Sequence, residues 1–295
     1  MTAPARASAA PDNRLGILLM VATVLCYALQ DGVTRFLAGE YSTVMVVMIR
    51  YWFYAAFVLA LASARPGGLR SVATVQPRLH LARAGLHVGE ILAIVASFVA
   101  IGLINTHAVF AVCPLIIAAL AGPMLGERVG LARWIAIGAG FLGILVILRP
   151  GSDLFSIAAA LPLGSAAMFA LYSLLTRLAT RREEAFIAFF WSGVLGAAMT
   201  TAIGIWFWAP MGTRDWGLTV LNGGLAVLAN WLMIRTYAVA EAAAVQPFSY
   251  LLLVFIAILG VTVFGEVLDA ATVIGGGIVV AAGLFTLLRG AGAAR

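Results

Sequence analysis

Apolar residues run along this chain in long blocks, and polar residues gather between them. A helix needs at least about 17 predominantly apolar residues to cross a hydrocarbon layer of about 30 Å. Ten such blocks can be drawn, at 15–37, 41–64, 84–104, 107–125, 131–149, 154–177, 185–209, 217–235, 242–264 and 269–289. The pattern predicts an all-α integral membrane protein with ten transmembrane helices and short connections. Residues 1–14 are small, polar and proline-containing and read as a disordered cytoplasmic tail. The first apolar block is too long for a signal-peptide core and has no convincing cleavage site, so it reads as a retained helix.

Composition points the same way. Of 295 residues, 63% are hydrophobic and 10% charged, with a mean hydropathy of +1.07. A soluble domain carries about a quarter charged residues to face water, so a soluble enzyme is excluded. The basic residues are 18 arginines, with no lysine. With the N-terminus in the cytoplasm, 14 of them fall on the inner side, three outside, and Arg50 within a span. That asymmetry follows the positive-inside rule and predicts a multi-pass protein of the bacterial inner membrane with both termini cytoplasmic. Trp206, Trp208 and Trp216 flank one outer loop, as interfacial aromatics do. Cys26 and Cys113 lie inside apolar blocks and read as buried thiols, not as a disulfide or metal site.

The chain also repeats itself weakly. Gly126-Glu127 closes the fourth block and Gly265-Glu266 the ninth, and each glutamate is followed eleven residues later by a glycine, Gly138 and Gly277. Pro114 and Pro247 precede them at different spacings. The halves then run from 15 to 149 and from 154 to 289, with five spans each. Five is odd, so the second half must enter the bilayer upside down, and two inverted halves enclose one midplane cavity with alternative exits.

The chain resembles the drug/metabolite transporter superfamily, in its ten-helix EamA-type branch. The resemblance is carried by Asp31-x-x-x-Arg35, Tyr41 and Arg50, by Pro114 through Gly126-Glu127-Arg128 to Arg149-Pro150-Gly151, and by Pro247-Phe248-Ser249-Tyr250 leading to Phe264-Gly265-Glu266. It implies a basket-like bundle of ten helices around a central cavity, exporting small metabolites, amino acids or drugs. It leaves the solute open.

Ionisable groups inside spans cost several kcal/mol unless paired or hydrated, so each needs a reason. Asp31 and Arg50 sit at similar depth in spans one and two and are placed to pair, with Arg35 one turn from Asp31. The pair either locks those helices together or handles substrate or protons. His87 and Glu90 share one face of span three; Glu90 is the first candidate for proton coupling. His80 falls between blocks and His107 at the first residue of the fourth, and both read as solvated loop residues. Tyr27, Tyr172, Asn230, Trp231, Gln246 and Tyr250 complete the candidate cavity wall with His87 and Glu90, because amides in a bilayer turn inward and aromatics suit amphipathic solutes. The two Gly-Glu pairs read as turns, each glutamate near the start of the next helix, and Gly275-Gly276-Gly277 as close packing or a hinge.

No nucleotide-binding signature is present, so a solute or proton gradient must drive transport. The expected function is a secondary transporter exporting small organic metabolites such as amino acids by alternating access; the alternative is a proton-coupled exporter of amphipathic or cationic drugs. A passive channel is disfavoured, as is an intramembrane enzyme, since no nucleophile–base or metal set stands at a useful spacing. The expected partners are the solute and the lipid bilayer. No nucleic acid, cofactor or metal is implied, and a monomer suffices.

Overall fold

A computed structural model describes residues 12–125, 130–149, 160–240 and 242–292. Among them all regular structure is helical. The helices are α1 (Asn13–Glu40), α2 (Thr43–Ser63), α3 (Pro77–Phe110), α4 (Cys113–Leu125), α5 (Leu131–Leu148), α6 (Ala160–Ala179), α7 (Ala185–Gly204), α8 (Thr213–Val239), α9 (Leu251–Phe264) and α10 (Ala270–Gly292). Seven described helical segments are long and apolar enough to span a bilayer, the last of them Pro247–Phe264, which joins α9 to the turn before it, while α4, α5 and α10 offer shorter apolar stretches. Large apolar side chains such as Leu18, Ile135, Leu142 and Val263 point outward, the surface a lipid-facing bundle presents.

Local chemistry explains where the ends differ from the sequence expectation. α1 begins at Asn13, inside the expected tail, because the Asp12 carboxylate accepts a hydrogen bond from the Leu15 amide at 3.0 Å. The first eleven residues and Gly126-Glu127-Arg128, expected to form a turn, lie outside the described residues. α3 starts seven residues before its apolar block, with Pro77 in its first turn, because the polar turn holding His80 and Arg83 is buried in a hydrogen-bonded network described below.

The largest departure is at Gly102, whose φ of 84° and ψ of 168° interrupt α3. In a continuous helix, residues nine apart stand about 13 Å apart. Yet Ser97 and Thr106 hydrogen-bond through their hydroxyls at 2.7 Å, and the Phe98 and His107 rings stack at 5.3 Å. The chain therefore doubles back at Gly102. Residues 103–110 are the first part of the fourth span, which continues through a break at 111–112 into α4. The ninth span is broken in a similar way, with a helical turn at Ala242–Val245 and a 3-10 turn at Gln246–Tyr250 preceding α9.

Helix packing follows a simple permutation. α1 lies along α8, α3 along α6, α2 along α7 and α5 along α10, while α9 touches α1 and α4 touches α6. Shifting every helix number by five turns α1–α8 into α6–α3 and α1–α9 into α6–α4, and leaves the other two pairs unchanged. The α5 and α10 backbones come close at Gly143 and Gly275, where a Cβ on either would sit 2.7 or 2.5 Å from the other's carbonyl oxygen. Gly276 and Gly277 have open space beside them, so of the expected close-packing run only Gly275 makes such an approach.

Candidate functional site

A cavity of about 430 Å³ lies in the middle of the bundle, walled by α1, α2, α3, α6, α7, α8 and α9. Nine aromatic side chains line it, among them Tyr27, Tyr54, Phe57, Phe169 and Tyr172. Its polar groups are Gln30 and Asp31 of α1, Arg50 of α2, His87, Glu90 and His107 of α3, and Asn230 of α8.

These polar groups are fixed by specific neighbours. The His87 ring stacks flat on Tyr172, with centroids 4.5 Å apart and planes within 11°, and its Nδ1 stands 3.3 Å from Glu90 Oε2. Ser165 of α6 donates its hydroxyl to the Glu90 carbonyl at 3.2 Å and lies 3.4 Å from Oε1, so α3 and α6 are tied beside the carboxylate. His107 Nε2 stands 3.2 Å from Asp31 Oδ2. In both acid–imidazole pairs the ring nitrogen is close but not aligned as a hydrogen-bond donor. Asn230 donates to the Ala226 carbonyl of its own helix at 2.8 Å.

Of the residues singled out from sequence, Tyr27, Asp31, Arg50, His87, Glu90, Tyr172 and Asn230 line this cavity. Trp231 does not: it is 48% exposed on the outside of α8, with the Arg235 guanidinium over its ring, because one residue beyond Asn230 turns about 100° round the helix. Tyr250 is also elsewhere, its hydroxyl packed against Gly283 of α10. The Gln246 side chain lies outside what is described.

Three pairings differ from expectation. Asp31 faces His107 instead of Arg50. Arg50 is held by Gln30, whose amide oxygen, in the orientation that satisfies both groups, accepts from its two terminal nitrogens at 3.1 and 2.9 Å. Arg35 points away from Asp31 to Glu266 and stacks over Phe264 at 4.1 Å. Glu266 is accordingly more than a turn residue: its carboxylate accepts from the Leu103 and Ile104 amides at 2.8 and 2.9 Å, capping the helix that restarts after Gly102. Glu127 is outside the described residues.

His80 and His107, expected in solvated loops, are 1% and 4% exposed. His80 belongs to a network closing the end of the bundle where α3 begins. Its Nε2 lies 2.7 Å from Glu183, which also accepts from the Thr74 hydroxyl and the Val75 amide, both at 2.7 Å. Burial alone would raise the Glu183 carboxyl, but bonds from His80, Thr74 and Val75 outweigh it and hold the group down at about 2, from an ordinary 4.5. A depressed carboxylate contributes its stabilisation fully above the unfolded value and loses it as pH falls towards the folded one. A Glu183→Gln variant should therefore melt below the wild type by a margin that is constant from neutral pH to about 4.5 and closes only as pH approaches 2. Thermal scans in detergent across that range check this; a margin already gone at pH 5 contradicts it.

Sequence comparison places these features in a family. The EamA-like transporter family profile matches residues 14–149 and again residues 156–288. The chain is 30% identical to a riboflavin transporter of Vibrio cholerae, over 90% of both chains. It is 32% identical to a riboflavin transporter of Rhizobium johnstonii, over 92% of this chain and 91% of that one. An S-adenosylmethionine uptake transporter of Rickettsia prowazekii is 22% identical over 92% of each. A protein of known crystal structure superposes with a TM-score of 0.62 at 17% identity, covering 92% of this chain and 96% of that one, which shows a shared fold. The chain is a small-molecule membrane transporter and not an enzyme, and it belongs to the EamA-like transporter family.

Proposed function

We propose that the chain moves a planar heterocyclic solute of the riboflavin class across the bacterial inner membrane by alternating access, with the central cavity as its binding site. The observation that carries this is the wall of nine aromatic side chains around about 430 Å³. That volume falls in the range of pockets for drug-sized ligands, and flat π-systems gain more from aromatic faces than short zwitterions do. The names of the Vibrio and Rhizobium relatives support the same class. Export of amino acids, the expectation from sequence, has less support in this cavity, since both of its carboxylates already face histidines.

Alternating access is supported by the permutation of helix contacts and by the family profile matching twice. Two five-helix sets exchanged by a two-fold operation would be inverted relative to one another and could open the cavity to either side in turn. The direction of net movement then follows the gradient. The pairs Asp31–His107 and Glu90–His87 are the groups through which a proton would couple to it.

Counterflow tests the proposal. Purified full-length protein in liposomes loaded with unlabelled riboflavin should draw in labelled riboflavin from outside several-fold faster than protein-free liposomes. Excess alanine inside should not substitute for riboflavin. Counterflow of alanine without counterflow of riboflavin would return the function to amino-acid transport. An imposed pH gradient that leaves riboflavin uptake unchanged would remove the proton from the cycle.

A further inference from the structure

Among the described residues no carboxylate pairs with Arg50, and each of the cavity's two acids, Asp31 and Glu90, is faced by a histidine. A guanidinium carries five N–H donors in a planar fork. Gln30 takes one from each terminal nitrogen, and three remain with no acceptor on the protein among the described residues. A partly buried charge left so incompletely bonded is costly, and the fork lines the cavity. Its aim is fixed. Gln30 is 1% exposed, and Tyr54, one helical turn from Arg50 on the same face of α2, lines the cavity beside it.

The electrostatics narrow what the fork can take. Asp31 and Glu90 stand in the same cavity, so a ligand bringing a full negative charge would meet two carboxylates. A neutral edge with adjacent acceptor atoms would not. We infer that Arg50, oriented by Gln30, is the specificity-determining residue that reads a carbonyl edge of the heterocycle, receiving two neighbouring acceptors such as a ring carbonyl and an unprotonated ring nitrogen while the aromatic walls hold the ring faces. This rests on the cavity being the site for a planar heterocycle. It explains why a flat aromatic surface alone is insufficient: stacking is indifferent to the ring's polar edge, and a planar bidentate donor is not.

Competition against radiolabelled riboflavin with purified full-length protein tests it, using lumiflavin, which has the carbonyl edge, and phenazine, a tricycle without carbonyls. Wild type should prefer lumiflavin over phenazine by about 30-fold, the contribution of a charge-assisted bidentate pair. In Arg50→Met the preference should fall to less than about 3-fold, mainly through weaker lumiflavin binding. Arg50→Lys should not restore it, because an ammonium lacks the fork. Gln30→Leu should weaken it by freeing the guanidinium. A preference retained in Arg50→Met overturns the inference while leaving the cavity reading intact, and so does equal loss of both ligands, which would make Arg50 structural. Riboflavin 5′-phosphate binding more tightly than riboflavin, with the gain lost in Arg50→Met, would make the fork an anion site and overturn the neutral-edge assignment. Wild type that binds neither lumiflavin nor phenazine removes the cavity reading itself.

Discussion

Replacing Gly102 with alanine should destabilise the folded bundle by about 4 kcal/mol, one of the largest effects of any single methyl group in the chain. Two costs combine. At φ 84° and ψ 168° the backbone lies where only glycine sits without strain. A Cβ built there would also stand 2.7 Å from Glu266 Oε1 and 2.8 Å from its Cδ, so the carboxylate must leave. Its departure strips the Leu103 and Ile104 amides of their acceptor and takes away the Arg35 partner. Thermal unfolding in detergent should show a clearly lowered midpoint for Gly102→Ala and reduced folded yield. Glu266→Ala in the same chain should relieve the clash without relieving the backbone, so the double variant should fall by less than the sum of the two single changes. A Gly102→Ala midpoint equal to the wild type would mean that Gly102 does not govern the reversal.

That reversal is also where sequence reading reached its limit. The long apolar blocks marked the spans because a bilayer forces every backbone polar group into helical bonds, and length then counts them. Both ends of α3 were hidden for one reason. At its start, Arg78, His80 and Arg83 look like a loop by polarity, yet His80 and Arg83 are each 1% exposed, because partners distant in sequence, Thr176, Glu183 and Ser192, satisfy them. Near Gly102, the run Asn105-Thr106-His107 reads as a polar connection. Each of these residues answers a group elsewhere: Asn105 accepts from Thr272 at 3.1 Å, Thr106 bonds Ser97, and His107 faces Asp31. Polarity predicts exposure only when no partner is in reach, and tertiary partners leave no local trace. The cavity was partly legible for the same reason. Ionisable groups and amides in apolar blocks stood out as Asp31, Arg50, His87, Glu90 and Asn230, whereas the choice of partner among them, Gln30 for Arg50 and His107 for Asp31, depends on helix rotations that one sequence does not encode visibly.

The second large effect is expected at Arg83, which holds the end of the bundle nearest the chain's first helix start. Its Nε donates to the Thr176 hydroxyl at 3.0 Å, and its terminal nitrogens reach the Ala188 carbonyl at 3.2 Å and the Ser192 hydroxyl at 3.4 Å. One of them also contacts His80 Nδ1 at 2.8 Å. A guanidinium cannot accept, so His80 Nδ1 must, and the imidazole carries its proton on Nε2 and donates it to Glu183. A neutral ring thus links a buried cation to a carboxylate across α3, α6 and the turn before α7. The same guanidinium lies 5.1 Å over the Tyr172 ring, whose plane stacks on His87 in the cavity wall, so this closure and the candidate solute site share a side chain. Arg83→Met removes the cation and strands the groups it bonded, at a cost of about 3 kcal/mol. Arg83→Lys keeps the charge without the fork and should recover only part of it. A thiol placed at Ser192, 1% exposed, in a chain whose native cysteines are replaced, reads the closure directly. It should resist a membrane-impermeant maleimide in the parent and react much faster with Arg83→Met added. Equal labelling in the two proteins, with equal melting midpoints, would show that the network packs the helices without keeping water out.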